Sequence, residues 1–242
     1  MAEGRRIAQW WQHLWHGACY RCQASVSGRQ LFCSACLTEL PWLGQACARC
    51  ALPLPDGTTT HCGECLRQPP PYERVLSLFE YSAPVDRLVA DLKYHERLWA
   101  GRWFAELLVE RFGAALHGTQ LLVPVPLHSA RLRQRGFNQA LELALPLARH
   151  LGVGIARTAV RRRQPTREQA ELSAAERKRN LTGAFACTPL LGIERATIVD
   201  DVMTTGATVR ELALTLRDHG VGVVDVVTVA RTPRGDGPVV QK

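Results

Sequence analysis

Thirteen residues near the carboxyl end, Ala196-Thr197-Ile198-Val199-Asp200-Asp201-Val202-Met203-Thr204-Thr205-Gly206-Ala207-Thr208, restrict the fold of this chain more than any other segment. The apolar, partly β-branched run reads as a buried strand of a parallel sheet. Such sheets bind ligands at the carboxyl ends of their strands. Here that end carries two adjacent carboxylates, then a turn of small and hydroxyl-bearing residues, then a helical pattern. The turn lets a phosphate approach the backbone N–H groups at the helix N-terminus. Carboxylates at that place bind sugar hydroxyls directly or hold Mg2+ through water. Sugar diol, metal and terminal phosphate together describe a phosphorylated ribose. The alternative is an ordinary βα turn in which Thr208 merely caps the helix, but a cap requires no Asp-Asp pair. A P-loop is excluded because no Gly-Lys-Ser/Thr follows.

The segment resembles the loop that binds 5-phosphoribosyl-1-pyrophosphate (PRPP) in type I phosphoribosyltransferases. The resemblance implies that Asp200 and Asp201 contact the ribose hydroxyls and serve as catalytic residues. It implies that Thr204, Thr205, Gly206, Ala207 and Thr208 wrap the 5-phosphate, with Mg2+ accompanying PRPP.

Eight of the nine cysteines form four Cys-x-x-Cys pairs: Cys19/Cys22, Cys33/Cys36, Cys47/Cys50 and Cys62/Cys65. One such pair presents two thiolates to a metal, and two pairs complete a tetrahedral four-thiolate site. The spacing therefore points to two structural Zn2+ ions. Sequential pairing of the knuckles is the simplest arrangement, and a cross-braced one satisfies the spacing equally. A disulfide framework is the alternative, but a chain without an export signal meets reducing conditions. All-cysteine sites leave no open coordination position, so the module is structural or presents a binding surface. His61, beside Cys62, reads as a bystander, and Cys187 as a buried core thiol.

A chain of 242 residues holds one large domain and a small one. No apolar run reaches the length of a membrane span, and residues 5–15 lack the apolar core of a signal peptide. A cytoplasmic location without integral membrane association is expected. Residues 1–16 read as an amphipathic helix with Ile7, Trp11 and Leu14 on one face. The net charge of +8 is concentrated: residues 128–179 hold 12 Arg/Lys against 4 Asp/Glu, and the rest of the chain is balanced. Such a block attracts polyanions, either pyrophosphate or nucleic acid.

Between the cysteines and the acid pair, Pro69-Pro70-Pro71 reads as a stiff linker. Strands are expected over residues 75–81 and 121–126, the second broken by Pro124 and Pro126. Helices are expected over 85–94, 103–116 and 137–150. Arg131, Arg133 and Arg135 precede a glycine turn and can grip phosphate oxygens in bidentate fashion. Strands near 158–162 and 183–188 bracket a polar excursion, residues 164–180. Type I phosphoribosyltransferases carry a lid between two such strands, and the resemblance makes Lys178 and Arg179 the cations that it delivers to the pyrophosphate. A last strand is expected over 221–229.

From about residue 19 to 231 the chain resembles the ComF family. The resemblance rests on the four knuckles, on Leu92-Lys93-Tyr94, Val123-Pro124-Val125-Pro126 and Arg135-Gly136-Phe137-Asn138-Gln139. Thr166-Arg167-Glu168-Gln169, Arg177-Lys178-Arg179-Asn180-Leu181 and the acid-pair loop complete it. It implies an α/β fold: a double zinc ribbon at residues 17–68, then a doubly wound, mainly parallel type I phosphoribosyltransferase domain at 72–242. Some members of the family support uptake or handling of single-stranded DNA during natural transformation, and no one reaction is attached to the family. Two functions are therefore expected side by side. One is a PRPP-binding phosphoribosyltransferase with an unidentified acceptor. The other is a factor that binds single-stranded DNA and other competence proteins, using the basic block for phosphate contacts and aromatics such as Trp42 and Tyr72 as stacking platforms; packing around the small zinc core is the alternative for both aromatics.

Overall fold

The structure, a computed structural model, describes residues 16–27, 30–55, 59–94, 97–163 and 183–233. The expected N-terminal helix, with Ile7, Trp11 and Leu14, and the excursion carrying Lys178 and Arg179 lie outside the described residues. The chain divides into two compact units, Met1–Trp42 and Leu43–Lys242. The division falls between the second and third knuckles, so the expected zinc module contributes to both units.

In the first unit, β1 (His16–Ala18) pairs antiparallel with β2 (Ser25–Ser27), and Cys19 and Cys22 lie in the connection between them. Cys33 caps the short helix α1 (Ser34–Thr38), its sulfur accepting from the Cys36 N–H at 3.5 Å. Val26, Phe32 and Leu40 are buried beside Cys19 and Cys36. In the second unit the same plan recurs. Cys47 and Cys50 lie in a turn, and Cys62 precedes the short helix α2 (Gly63–Arg67). In both units the residue after the first knuckle is left-handed, Gln23 at φ 63° and Ala51 at φ 54°.

The second unit is built on a five-stranded sheet of β3 (Val75–Glu80), β4 (Leu121–Pro124), β5 (Gly154–Ile155), β8 (Arg195–Met203) and β9 (Val223–Arg231). Their order is β3-β9-β8-β4-β5, and every neighbouring pair is parallel. The two remaining strands, β6 (Val160–Arg162) and β7 (Phe185–Cys187), form a separate antiparallel pair. From β4 the chain moves outward to β5, then returns to the opposite side of β4 to form β8. Strand order reverses there, and such a switch point opens a crevice at the carboxyl ends of the strands.

The core follows the two-residue period of the strands. Val123, Ile198, Val224 and Val226 share one core with Leu212 and Leu216 of helix α7 (Ala207–Asp218), and with Leu52 and the four cysteines of the second set. The alternating neighbours Leu122, Val199 and Val227 are also fully buried. On β3, Phe79 packs on Trp103 and Phe104 of helix α4 (Leu98–Phe112), with ring centroids 6.4 and 6.3 Å apart. Helix α3 (Val85–Tyr94) buries Val85, Leu88, Val89 and Leu92, as its period requires.

Several boundaries differ from expectation. α4 begins five residues before the expected 103 and ends at Phe112; buried Leu116 keeps the apolar rhythm without being helical. The arginine stretch forms a helix, α5 (Ser129–Arg135), which Gly136 ends at φ 82°. The next helix, α6 (Gln139–Leu151), starts two residues late because the Asn138 side chain caps it, accepting from the Ala140 N–H at 3.0 Å. β4 stops at Pro124, and β9 continues to Arg231. Cys187 is half-buried rather than a core thiol.

At the opposite end of the sheet, Asp225 is fully buried between Arg195 at 2.7 Å and Arg74 at 3.4 Å. Removing the carboxylate leaves two cations facing each other. Asp225→Ala should destabilise the protein by about 3 kcal/mol, the low end for a broken buried pair because both arginines reach solvent. The urea midpoint measures it, and an unchanged midpoint would contradict the assignment.

Candidate functional site

β8 continues past the end of its neighbour β4. The last rung between them pairs Val199 with Pro124, and Val125 N–H still reaches the Val199 carbonyl at 2.9 Å. Pro126 has no N–H to extend the ladder. On its other side β8 stays paired with β9 as far as Met203 and Arg231. Asp200 and Asp201 therefore emerge where β8 loses one neighbour, at the switch point.

A cleft of about 230 Å3 opens there. Asp200, Thr204, Thr205, Gly206, Ala207 and Thr208 line it, joined by Tyr81 and Lys93. Gly206 turns the chain at φ 76° immediately before α7, a conformation that L side chains rarely adopt. Thr205 Oγ1 accepts from the Ala207 N–H at 3.4 Å. The loop thus presents hydroxyls and the start of a twelve-residue helix to one cavity, and a helix N-terminus favours an anion.

The acid pair is not symmetric. Asp200 faces the cleft, whereas Asp201 is buried and holds Lys93, with Nζ 2.6 Å from Oδ2. Burial would raise the pKa of Asp201, but Lys93 outweighs it and holds the carboxyl below its ordinary value. Burial would lower that of Lys93, but Asp201 and Asp200 hold the ammonium above its ordinary value. Asp200 is pushed well above the carboxylate range, first by burial and then by the charge of Asp201.

The arginines divide. Arg135 lies 5.4 Å over the Tyr94 ring, and its Nη1 donates to Gln139 Oε1 at 2.6 Å. Arg162, at the end of β6, lies 5.7 Å over the Phe185 ring. Burial lowers its pKa; Asp200 opposes that and Arg131 adds to it. Arg135 and Arg162 thus share electrostatic reach with the acid pair and with Arg131, which is exposed, as is Arg133. Tyr72 is buried and Trp42 half-buried, its indole N–H donating to the Leu37 carbonyl at 2.9 Å, so neither is an open stacking platform.

The cysteines pair sequentially. Cys19, Cys22, Cys33 and Cys36 form one cluster, and Cys47, Cys50, Cys62 and Cys65 the other, with all sulfurs of a cluster within 4.8 Å of one another. Cys22 and Cys33 sulfurs are 3.7 Å apart, as are those of Cys50 and Cys62. A tetrahedron with Zn–S bonds of about 2.3 Å has edges of about 3.8 Å, so the donor sets fit zinc. Both are structural Zn2+ sites of the closed, four-thiolate kind.

Tyr81 and Arg162 are the residues that motif reading passed over, whereas Lys93 stood in the motif Leu92-Lys93-Tyr94 without a role, directly after the buried Leu92 at the edge of the apolar face of α3.

The parallel sheet, its switch-point cleft and the two cysteine sites define a zinc-ribbon protein with a doubly wound parallel α/β domain. A model described as the double zinc ribbon domain matches residues 11–66. The chain is 37% identical over 223 residues to the DNA utilization protein YhgH of Salmonella typhimurium, covering 89% of this chain and 97% of that protein. Competence protein F of Haemophilus influenzae is 32% identical over 224 residues, covering 89% and 91%. The chain belongs to the ComF family. Orotate phosphoribosyltransferase from Aeropyrum pernix superposes with a TM-score of 0.37 at 20% identity, over 63% of this chain and 66% of that one. Purine phosphoribosyltransferase from Pyrococcus horikoshii gives 0.31 at 18%, over 69% and 99%.

The raised pKa of Asp200 has a consequence for stability. A carboxyl raised in the folded state costs nothing below its unfolded value of about 4, and destabilises progressively as pH rises towards the folded value. Asp200→Asn should therefore raise the melting temperature of the ligand-free protein at pH 7, with the gain vanishing near pH 4. A gain independent of pH would refute this account.

Proposed function

We propose that the chain binds PRPP in the cleft at the end of β8. The convergence of Asp200, Lys93 and the loop of residues 204–208 on one cavity carries the reading. The loop receives the 5-phosphate through hydroxyls and backbone N–H groups. Asp200 takes the ribose hydroxyls. Asp201 acts one step back, holding the Lys93 ammonium beside the ligand. Arg131, Arg135 and Arg162 supply positive charge for the pyrophosphate, and Lys178 and Arg179 add to it from residues 164–182. Asp200 would hold the Mg2+ that accompanies PRPP, and the ion would supply positive charge to the pyrophosphate. If the pyrophosphate is displaced by an acceptor, the protein's part is orientation and charge stabilisation.

Calorimetric titration of PRPP with Mg2+ tests the site. Wild type should bind saturably, and an Asp200→Asn/Asp201→Asn variant that keeps its zinc and folds cooperatively should bind at least about tenfold more weakly, a loss of about 1.4 kcal/mol. No binding to the zinc-loaded wild type would sink the sugar-phosphate reading.

The names of the relatives, a DNA utilization protein and a competence protein, favour a second role. In this reading the protein works in the cytoplasm on single-stranded DNA taken up by the cell, together with other competence proteins. Among the described residues no helix is long and apolar enough to cross a membrane. The basic segment supplies the phosphate contacts. An Arg131→Gln/Arg133→Gln variant should then weaken single-stranded DNA binding and reduce the slope of log K against log salt by about 1.4, roughly 0.7 per contact. An unchanged slope would place the contacts elsewhere.

A further inference from the structure

Arg231 closes β9, and among the described residues it is the only lysine or arginine in the buried class, 6% exposed. No carboxylate meets it at hydrogen-bond distance among its recorded bonds; its partners are backbone carbonyls. Nε donates to the Cys50 carbonyl at 3.0 Å. Nη1 donates to Met203 at 3.0 Å, to Thr232 at 2.8 Å and also to Thr204. Cys50 is a ligand of the second zinc site. Met203 and Thr204 are the entry to the loop that lines the cleft. One planar, rigid group therefore grips a zinc knuckle with one edge and the phosphate loop with the other.

A second contact follows the same line. Tyr72, 4% exposed, packs in one core with Cys47, Cys50, Cys62 and Cys65. Its hydroxyl lies 3.8 Å from the point that a Cβ on Gly206 would occupy. The Cys50 carbonyl is in turn placed by the knuckle. Cys47 N–H donates to Leu52 and Ala51 N–H to Cys47, both at 2.8 Å, and Cys62 N–H donates to the Cys47 sulfur at 3.3 Å. A buried cation satisfied by neutral carbonyls tolerates the loss of none of them cheaply. Displacing the knuckle leaves Nε without its acceptor, and displacing the loop leaves Nη1 without two of three.

We propose that Arg231 is a positioning residue through which the second zinc site and the phosphate loop hold each other in place, so that Zn2+ at Cys47, Cys50, Cys62 and Cys65 and an anion in the loop bind cooperatively. The identity of the anion rests on the PRPP reading above. Coupling of this kind is reciprocal. Zinc sets the loop for the phosphate, and the bound phosphate retains the zinc. The first site, in the other compact unit, is the internal control.

The test follows zinc release from the full-length, zinc-loaded protein to a chromogenic chelator, with and without PRPP. One of the two zinc equivalents should become at least about fivefold harder to extract when PRPP is bound, and the other should not change. A Cys33→Ser/Cys36→Ser variant, lacking the first site, should keep the protected equivalent. Arg231→Lys keeps the charge but cannot span both sets of carbonyls; it should load both zincs, lose the selective protection and weaken PRPP binding by the same factor. Bound PRPP that protects both zincs equally, or neither, overturns the proposal, and these wild-type arms stand even if Arg231→Lys fails to fold. If calorimetry shows that wild type does not bind PRPP, the sugar-phosphate reading fails and amide exchange decides the coupling. Extracting the second zinc should then speed exchange at residues 203–208 more than in Leu98–Phe112. Equal acceleration in both segments, or none, overturns it.

Discussion

β8 lies between β9 and β4 and is covered on both faces, so along most of its length it has no room for polar chemistry. Its polar groups can meet solvent and ligand only where a neighbour stops. The end of β4 at Pro124 fixes that point, and the register places Asp200 one residue beyond it. The acid pair, the turn and the start of α7 then follow within eight residues. Everything the cleft offers is set by where one proline-bearing strand gives out.

This is why the site was so readable in the sequence. A strand, its terminal carboxylates and the succeeding turn are contiguous, so local order alone brings the candidate residues together. The same segment states a buried strand of a parallel sheet, and the doubly wound order came with the family resemblance. What stayed illegible is tertiary. Lys93 and Arg162 reach the acid pair from elements far away in the chain, and nothing near either residue announces the destination. Tyr72 offered either a stacking platform or packing around the zinc core, and it packs in one core with the second set of cysteines. Arg231 lay two residues beyond the expected last strand and carried no assigned role. Helix limits also escaped, because the apolar rhythm of α4 continues through Leu116 beyond the helix, and because Asn138 diverts the chain into a cap.

The cysteines show the same boundary between local and distant information. Spacing alone gave four knuckles and two metals. It could not choose between sequential and cross-braced pairing, because that choice depends on which turns fold back on which. It was also silent on the difference between the two sites. One belongs to a small unit with its own apolar residues; the other shares the core of the sheet with Ile198, Val226 and Leu212. Two chemically identical ligand sets therefore stand in different mechanical situations.

The short ladder of β6 and β7 separates the length of one segment from the rest of the architecture. Arg162 and Phe185 are paired, and Arg163 N–H reaches the Ala184 carbonyl at 2.8 Å. Residues 164–182 therefore leave and return at adjacent rungs. Closing a loop between fixed, neighbouring ends costs only about 0.6 kcal/mol more each time its length doubles. A change in the number of residues here therefore costs the sheet, the cleft and the metal sites little, and the stretch answers to the chemistry of its side chains rather than to the stability of the fold.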